Sequence, residues 1–194
     1  MGAMTKLPPR SITFSARLAG HDFVFHSTWG LFSPKDIDEG TRLLIENLSL
    51  KPDALVLDLG CGYGPLGLAC AELAPNGHVD LVDKDFVAVD YALRNIEANH
   101  LPNANAFLSN GFDQIPDGRR YDTIVSNVPA KIGAELLSLF LADAYAHLNP
   151  GGQLYVVTIS GLKEYMKRNL GATFGNYEKL KQSKTYTAAV ATKS

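Results

Sequence analysis

The chain has only two cysteines in 194 residues, Cys61 and Cys70, and neither lies at metal-ligand spacing. That excludes a disulfide-stapled scaffold and a cysteine-rich metal centre. Its five histidines, His21, His26, His78, His100 and His147, show no paired metal spacing either, so no metal is expected. No run of about 18 apolar residues is present, which argues against a membrane-spanning helix. The N-terminus lacks the apolar stretch of a signal peptide, and Met1-Gly2-Ala3-Met4 reads as a cloning remnant outside the fold. A cytoplasmic protein with no membrane partner is expected. Repeats and low-complexity tracts are lacking as well.

Charge of one sign is also in short supply overall, but its distribution is uneven. Residues 1–160 carry 11 Lys/Arg against 18 Asp/Glu, a net −7, whereas residues 161–194 carry 7 against 2, a net +5. A basic C-terminal face is suited to phosphates, and equally to plain solvation of a terminal helix and strand.

What the chain does have is a glycine turn between a strand and a helix, in Val56-Leu57-Asp58-Leu59-Gly60-Cys61-Gly62-Tyr63-Gly64-Pro65-Leu66-Gly67. The glycines let the backbone turn sharply and approach a ligand, and the following helix aims its unpaired N–H groups at the same spot. From residue 54 onward, short apolar runs alternate with helical spacings, the pattern of βαβ units on a mostly parallel sheet. Strands are expected at 54–59, 78–82, 104–108, 121–126 and 153–159, with helices at 65–74, 86–100, 133–148 and 162–170. The run Asn149-Pro150-Gly151-Gly152 is expected as a turn. The last two strands, 177–182 and 185–192, lie too close for a crossover helix, so at least one is antiparallel. Ahead of residue 51 lie a hairpin (11–18 and 21–27), a loop at 30–34 and a helix at 37–48. The expected fold is α/β, a Rossmann-like, seven-stranded, mostly parallel sheet with helices on both faces. It ends in an antiparallel strand, with residues 5–50 as an N-terminal extension and 51–194 as the cofactor-binding domain. Trp29, the single tryptophan, reads as a core anchor beneath the hairpin.

The glycines alone fit two cofactors. Gly62-x-Gly64-x-x-Gly67 satisfies the dinucleotide pattern, and Gly60-x-Gly62-x-Gly64 the looser S-adenosylmethionine (SAM) pattern. Asp58 favours SAM, because a carboxylate there repels a pyrophosphate and suits the ammonium of a methionine moiety. Asp83, at the end of the second strand of the repeat, suits ribose hydroxyls in either cofactor. The closing strand pair differs from the second half of a dehydrogenase.

The chain resembles class I SAM-dependent methyltransferases of the "small domain" family, whose characterised members include bacterial ribosomal RNA guanine-N2 methyltransferases. Gly30-Leu31-Phe32-Ser33 followed by Ile37-Asp38-Glu39-Gly40-Thr41-Arg42-Leu43-Leu44 resembles the family's GVFS…D-x-G-[ST]-x-LL. Val56–Gly67 resembles LLDLGCGYGxxG, and Ser126-Asn127-Val128-Pro129 stands where the family has Asn-Pro-Pro-aromatic. The resemblance implies a SAM site, with S-adenosylhomocysteine as product, made by Phe32, Asp58, Gly60, Cys61, Gly62, Gly64, Asp83, Lys84, Asn110, Gly111 and Asn127. It implies catalysis at Asn127, Val128 and Pro129, on an exocyclic amine of RNA, guanine N2 of ribosomal RNA or a ribosomal subunit. Two departures matter: Val128 replaces a proline, and Ala130 stands where an aromatic ring would stack on a base. Trp29, Phe32 or Tyr186 could supply that ring instead. The same departures leave open a protein or small-molecule acceptor, and a non-catalytic SAM-binding module.

Overall fold

The computed structural model describes Pro8 and residues 10–194; Met1–Met4 lie outside the described residues. Two strands open the chain, β1 (Ser11–Leu18) and β2 (His21–Thr28), paired as an antiparallel hairpin. Helix α1 (Glu39–Ile45) follows. The body then runs β3 (Leu55–Leu59), α2 (Pro65–Leu73), β4 (His78–Asp83), α3 (Phe86–Ala98), β5 (Ala104–Leu108) and β6 (Tyr121–Asn127). It continues through α4 (Ala134–His147), β7 (Leu148–Ile159), a short 3-10 turn and α5 (Lys163–Phe174), and closes on β8 (Glu178–Gln182) and β9 (Tyr186–Thr192).

Seven strands form one sheet in the order β5-β4-β3-β6-β7-β9-β8. The first five in that order are mutually parallel, and β9 is antiparallel to both of its neighbours. The expected α/β sheet is therefore present, with β9 as its reversed strand. Strand register explains the two-sided core. Val56, Val125, Tyr155, Val157, Ala188 and Val190 face one side with α2, α3 and the hairpin. Their neighbours Leu57, Ile124, Leu154, Val156, Ala189 and Ala191 face the other, under α4 and α5. A side-chain period of two, buried on both faces, produces the near-continuous apolar strands read in the sequence.

Some boundaries differ from the sequence expectation. Helix α1 starts at Glu39, because Asp38 caps it by accepting from Thr41 N–H at 3.1 Å. Residues 149–152 belong to β7 instead of a free turn. Gly151 N–H donates to Lys193 O and Lys193 N–H to Gly152 O, so pairing with residue 193 holds the segment in the strand as a bulge, with Gly151 at φ 77°. Trp29 is not a core anchor: it is 60% exposed, with Lys35 Nζ 4.4 Å from its ring centroid.

The hairpin is clamped to the body by two asparagines one turn apart, Asn95 on α3 and Asn99 capping its C-terminal end. Asn95, fully buried, accepts from His26 N–H at 2.7 Å and donates from Nδ2 to His26 O at 2.9 Å and Tyr63 O at 2.8 Å. Asn99 accepts from Val24 N–H at 2.9 Å and donates to Val24 O at 2.8 Å. The amides thus pair with the free edge of β2 as a neighbouring strand would. Replacing Asn95 by alanine strands three backbone groups, the buried Tyr63 O and the half-buried N–H and O of His26. The variant should lose about 2–3 kcal/mol and melt roughly 4–10 °C lower, measured by thermal denaturation.

Candidate functional site

The carboxyl ends of β3, β4, β6 and β7 open on a cleft of about 360 Å³, closed on one side by the segment 30–41 and by Tyr186 at the start of β9. Its position is the edge where the strand order reverses between β3 and β6, the usual ligand crevice of such sheets. The size lies within the range of about 300–1,000 Å³ typical of small-molecule sites.

The glycine turn makes the floor. Gly60 and Cys61 N–H both donate to Val82 O at 2.9 Å, which folds the turn over the end of β4. Gly60 and Gly62 have φ of 75° and 55°, and no atom stands within 4 Å of where their Cβ would be. Side chains there would therefore project into space the turn leaves open. Gly64 and Gly67 serve packing instead. A Cβ on Gly64 would meet Leu68 at 2.8 Å, and one on Gly67 would meet Leu81 at 2.5 Å and Asp58 Oδ2 at 2.9 Å. The third glycine of the dinucleotide pattern is thus explained by helix–strand packing.

Asp58 is 1% exposed, and its Oδ2 accepts from Gly67 N–H at 2.7 Å. Burial pushes its carboxyl up to about 7; the Gly67 hydrogen bond opposes this, and nearby Asp83 adds to it. Asp83 is held from both sides. Its Oδ2 accepts from Gly62 N–H at 2.9 Å and its Oδ1 from Asp85 N–H at 3.0 Å. Asp85 caps α3, accepting from Val87 N–H at 2.8 Å. Cys61 lines the cleft as an inert wall, its thiol pushed well up by burial. Tyr63 ties the turn to the leader, donating to Ser33 O at 3.0 Å and Asp36 O at 3.2 Å.

Asn127 ends β6. Its Nδ2 donates to Asp38 Oδ2 and to Thr41 Oγ1, both at 3.0 Å. Val128 N–H donates to Val157 O at 2.9 Å, which fixes the backbone where Val128, Pro129 and Ala130 border the cleft. Tyr186 O–H donates to Asp38 Oδ1 at 2.8 Å. Phe32 lies on the cleft and is 66% exposed.

The cleft thus gathers Phe32, Asp58, Gly60, Cys61, Gly62, Asp83, Asn127, Val128 and Pro129 from the expected set. Gly64, Lys84, Asn110 and Gly111 are not among its lining residues. Lys84 is exposed, and Asn110, also exposed, donates to Asp113 Oδ2 at 3.3 Å. Sequence reasoning gave no role to Asp38 and Thr41, although both sit in the D-x-G-[ST] run, and offered Tyr186 only as a stacking ring, not as the partner of Asp38. A fourth signal stood beside them. Gly40 is the one residue type that fits, because a Cβ there would lie 2.7 Å from Tyr186 Cδ1.

Electrostatics restrict what the cleft can hold. Asp38, Asp58, Asp83 and Asp85 line it, and no lysine or arginine does. Such a site favours a cationic ligand and disfavours a pyrophosphate. Among the described residues no group of three or more His, Cys, Asp or Glu could hold a metal, and no helix is long and apolar enough to cross a membrane.

The sequence matches the family model described as methyltransferase small domain over residues 22–189. The chain belongs to that family. A structure of the T. thermophilus 16S rRNA N2 G1207 methyltransferase RsmC, in complex with AdoMet and guanosine, is similar at a TM-score of 0.86. It is 33% identical, over 98% of this chain and 52% of that one. Ribosomal RNA small subunit methyltransferase C of Hamiltonella defensa is 33% identical over 167 residues, 84% of this chain and 48% of its own length. The uncharacterized protein YbxB of Bacillus subtilis is 33% identical over 147 residues, 75% of this chain and 73% of its own. This methyltransferase small-domain chain therefore spans about half the length of the curated rRNA methyltransferases it matches.

Proposed function

We propose that this chain transfers a methyl group from SAM to an exocyclic amine of RNA, the N2 of a guanine in ribosomal RNA. The observation that carries the reading is a cleft with four carboxylates and no Lys or Arg, bordered by an asparagine whose amide nitrogen is already engaged. SAM supplies an electrophilic methyl on a positively charged sulfonium.

Asp58, poised above the glycine turn, takes the ammonium of the methionine end; Gly60 and Gly62 leave the backbone bare beside it. Asp83, with each oxygen already oriented by a backbone N–H, offers its remaining lone pairs to ribose hydroxyls. At the reacting end, Asn127 Oδ1 and the Val128 carbonyl accept the protons of the substrate amine, which draws its lone pair out of ring conjugation and holds it in line. Little acid–base help is needed, since the leaving group is a neutral thioether and the nitrogen, cationic once the C–N bond forms as the S–CH3 bond breaks, sheds its extra proton to water.

Two surface features support an RNA acceptor. Phe32 offers the ring face that Ala130 lacks, and Tyr186 lines the same cleft with its hydroxyl tethered to Asp38. Lys35, Lys131 and Lys184 are exposed and sit next to lining segments, where phosphates excluded by the acidic cleft can rest. The RsmC relatives, named for ribosomal RNA methylation, support the same acceptor, and a cytoplasmic location accords with it.

The test is tritiated-methyl transfer from SAM to naked ribosomal RNA, small ribosomal subunits, total protein and a metabolite pool, followed by nucleoside mass spectrometry. N2-methylguanosine in the RNA or subunit fraction is expected. Label confined to protein or metabolites overturns the acceptor, and no label anywhere overturns the activity.

A further inference from the structure

We infer that Asp38 is a positioning residue that fixes which end of the Asn127 amide faces the substrate, and so selects an amino group over a keto oxygen. The inference rests on the reading of Asn127 as acceptor of the substrate's amino protons. An asparagine side chain has nearly the same shape after a half-turn about its last bond, yet one orientation presents an acceptor and the other two donors. Something must choose between them.

Asn127 touches two side chains, and they are not equivalent. Thr41 Oγ1, 3.0 Å from Nδ2, is a hydroxyl that can donate or accept, so it tolerates either orientation. Asp38 Oδ2, also at 3.0 Å, belongs to a carboxylate that only accepts. A reversed amide would set its carbonyl oxygen against that carboxylate. The NH2 end is therefore held toward Asp38, and the carbonyl oxygen is left for the cleft.

Asp38 is itself immobilised. Oδ2 also caps α1 by accepting from Thr41 N–H at 3.1 Å, while Oδ1 accepts from Tyr186 O–H at 2.8 Å. Burial and then the Asp38 carboxylate push the Tyr186 hydroxyl up to about 12, so it remains a donor through the ordinary pH range. The tyrosine ring packs where a Cβ on residue 40 would stand, which leaves it no room to withdraw toward α1. The chain Tyr186, Asp38, Asn127 thus transmits an orientation from β9 to the reacting end of β6. A fixed acceptor attracts the N–H of an exocyclic amine and repels a carbonyl oxygen at the same place.

Helix capping and amide orientation separate cleanly by substitution. Serine at 38 still caps a helix N-terminus but is too short to reach Asn127. Asparagine at 38 keeps one oxygen for Thr41 N–H and Asn127 Nδ2, and its NH2 can donate to the Tyr186 oxygen. Asp38→Ser should lower kcat for guanine methylation about 10–100-fold, with KM for RNA and affinity for S-adenosylhomocysteine within about threefold of wild type. Asp38→Asn should return kcat to within about fivefold. With S-adenosylhomocysteine bound, wild type should prefer guanosine over inosine, which lacks the amino group, and Asp38→Ser should shrink that preference roughly tenfold. Unchanged kcat and preference in Asp38→Ser, in a wild type that does methylate guanine, overturn the inference alone. So does an Asp38→Asn variant as impaired as Asp38→Ser. A wild type that methylates no guanine overturns the functional reading, and the inference with it.

Discussion

Replacing Asp58 by asparagine should weaken binding of S-adenosylhomocysteine on the order of 100-fold, about 3 kcal/mol, by isothermal titration. The substitution preserves shape and can keep the oxygen that accepts from Gly67 N–H, but it removes the charge that the proposed function sets against the ligand ammonium. A pH dependence accompanies it. In the free protein burial holds the Asp58 proton up to about 7, whereas the ammonium-bound form requires the carboxylate. Binding below about pH 7 therefore releases a proton, and wild-type affinity should climb by up to about tenfold per unit toward that pH, then level off.

Stability moves the other way. An unfolded Asp loses its proton near pH 3.9, while folded Asp58 keeps it to about 7. The contribution to stability of the free protein is complete at acidic pH and is lost as pH rises through that window. Asp58→Asn should flatten both profiles, so at pH 8 it binds ligand poorly yet melts no lower than wild type. Ligand affinity within about threefold of wild type would remove Asp58 from the cofactor site.

The second large effect falls on turnover. Asn127→Ala should lower kcat for methyl transfer by about 10²–10³-fold, with cofactor affinity within about twofold of wild type, since what is lost is the acceptor aimed at the amine and the Nδ2 bonds to Asp38 and Thr41 that orient it. Asn127→Asp is no repair. It would set a second carboxylate at hydrogen-bond distance from Asp38, so one of the two must take a proton or the pair must move apart. Single-turnover assays at saturating cofactor separate this loss from weakened binding; near-wild-type rates in both variants would exclude Asn127 from the chemistry.

Much of the architecture was legible in the chain because its strands are buried on both faces and its helices sit between them. A run such as Val56–Leu59 followed by Gly60, Gly62 and Gly64 carries both the strand and the turn. The individual uses of those glycines were not legible. Gly67 looks like part of a nucleotide fingerprint, yet what it provides is the absence of a side chain against Leu81 and Asp58. Trp29 misled for a related reason: a lone large ring usually means burial, but here it stands exposed beside Lys35. Lys84 and Asn110 follow the right strands without reaching the cleft, since a position after a strand does not fix where a side chain ends. The pairing of Asp38 with Tyr186 went unread because nothing local relates them.

Those two residues are 148 positions apart and meet through one hydrogen bond. Tyr186 begins β9, the last strand of the chain, which inserts between β7 and β8 instead of adding to an edge. A contact of such long sequence separation is among the costliest in loop entropy, and forms only when distant parts of the chain have already come together. A nascent chain emerging from synthesis can close the glycine turn early, since its glycine N–H groups bond within the turn itself and to β3 and β4. The tyrosine that steadies Asp38 lies 148 residues beyond it and is made only after β6, β7 and β8. The two ends of the cleft therefore mature at different times, the glycine turn ahead of the Tyr186–Asp38–Asn127 chain that steadies the other side.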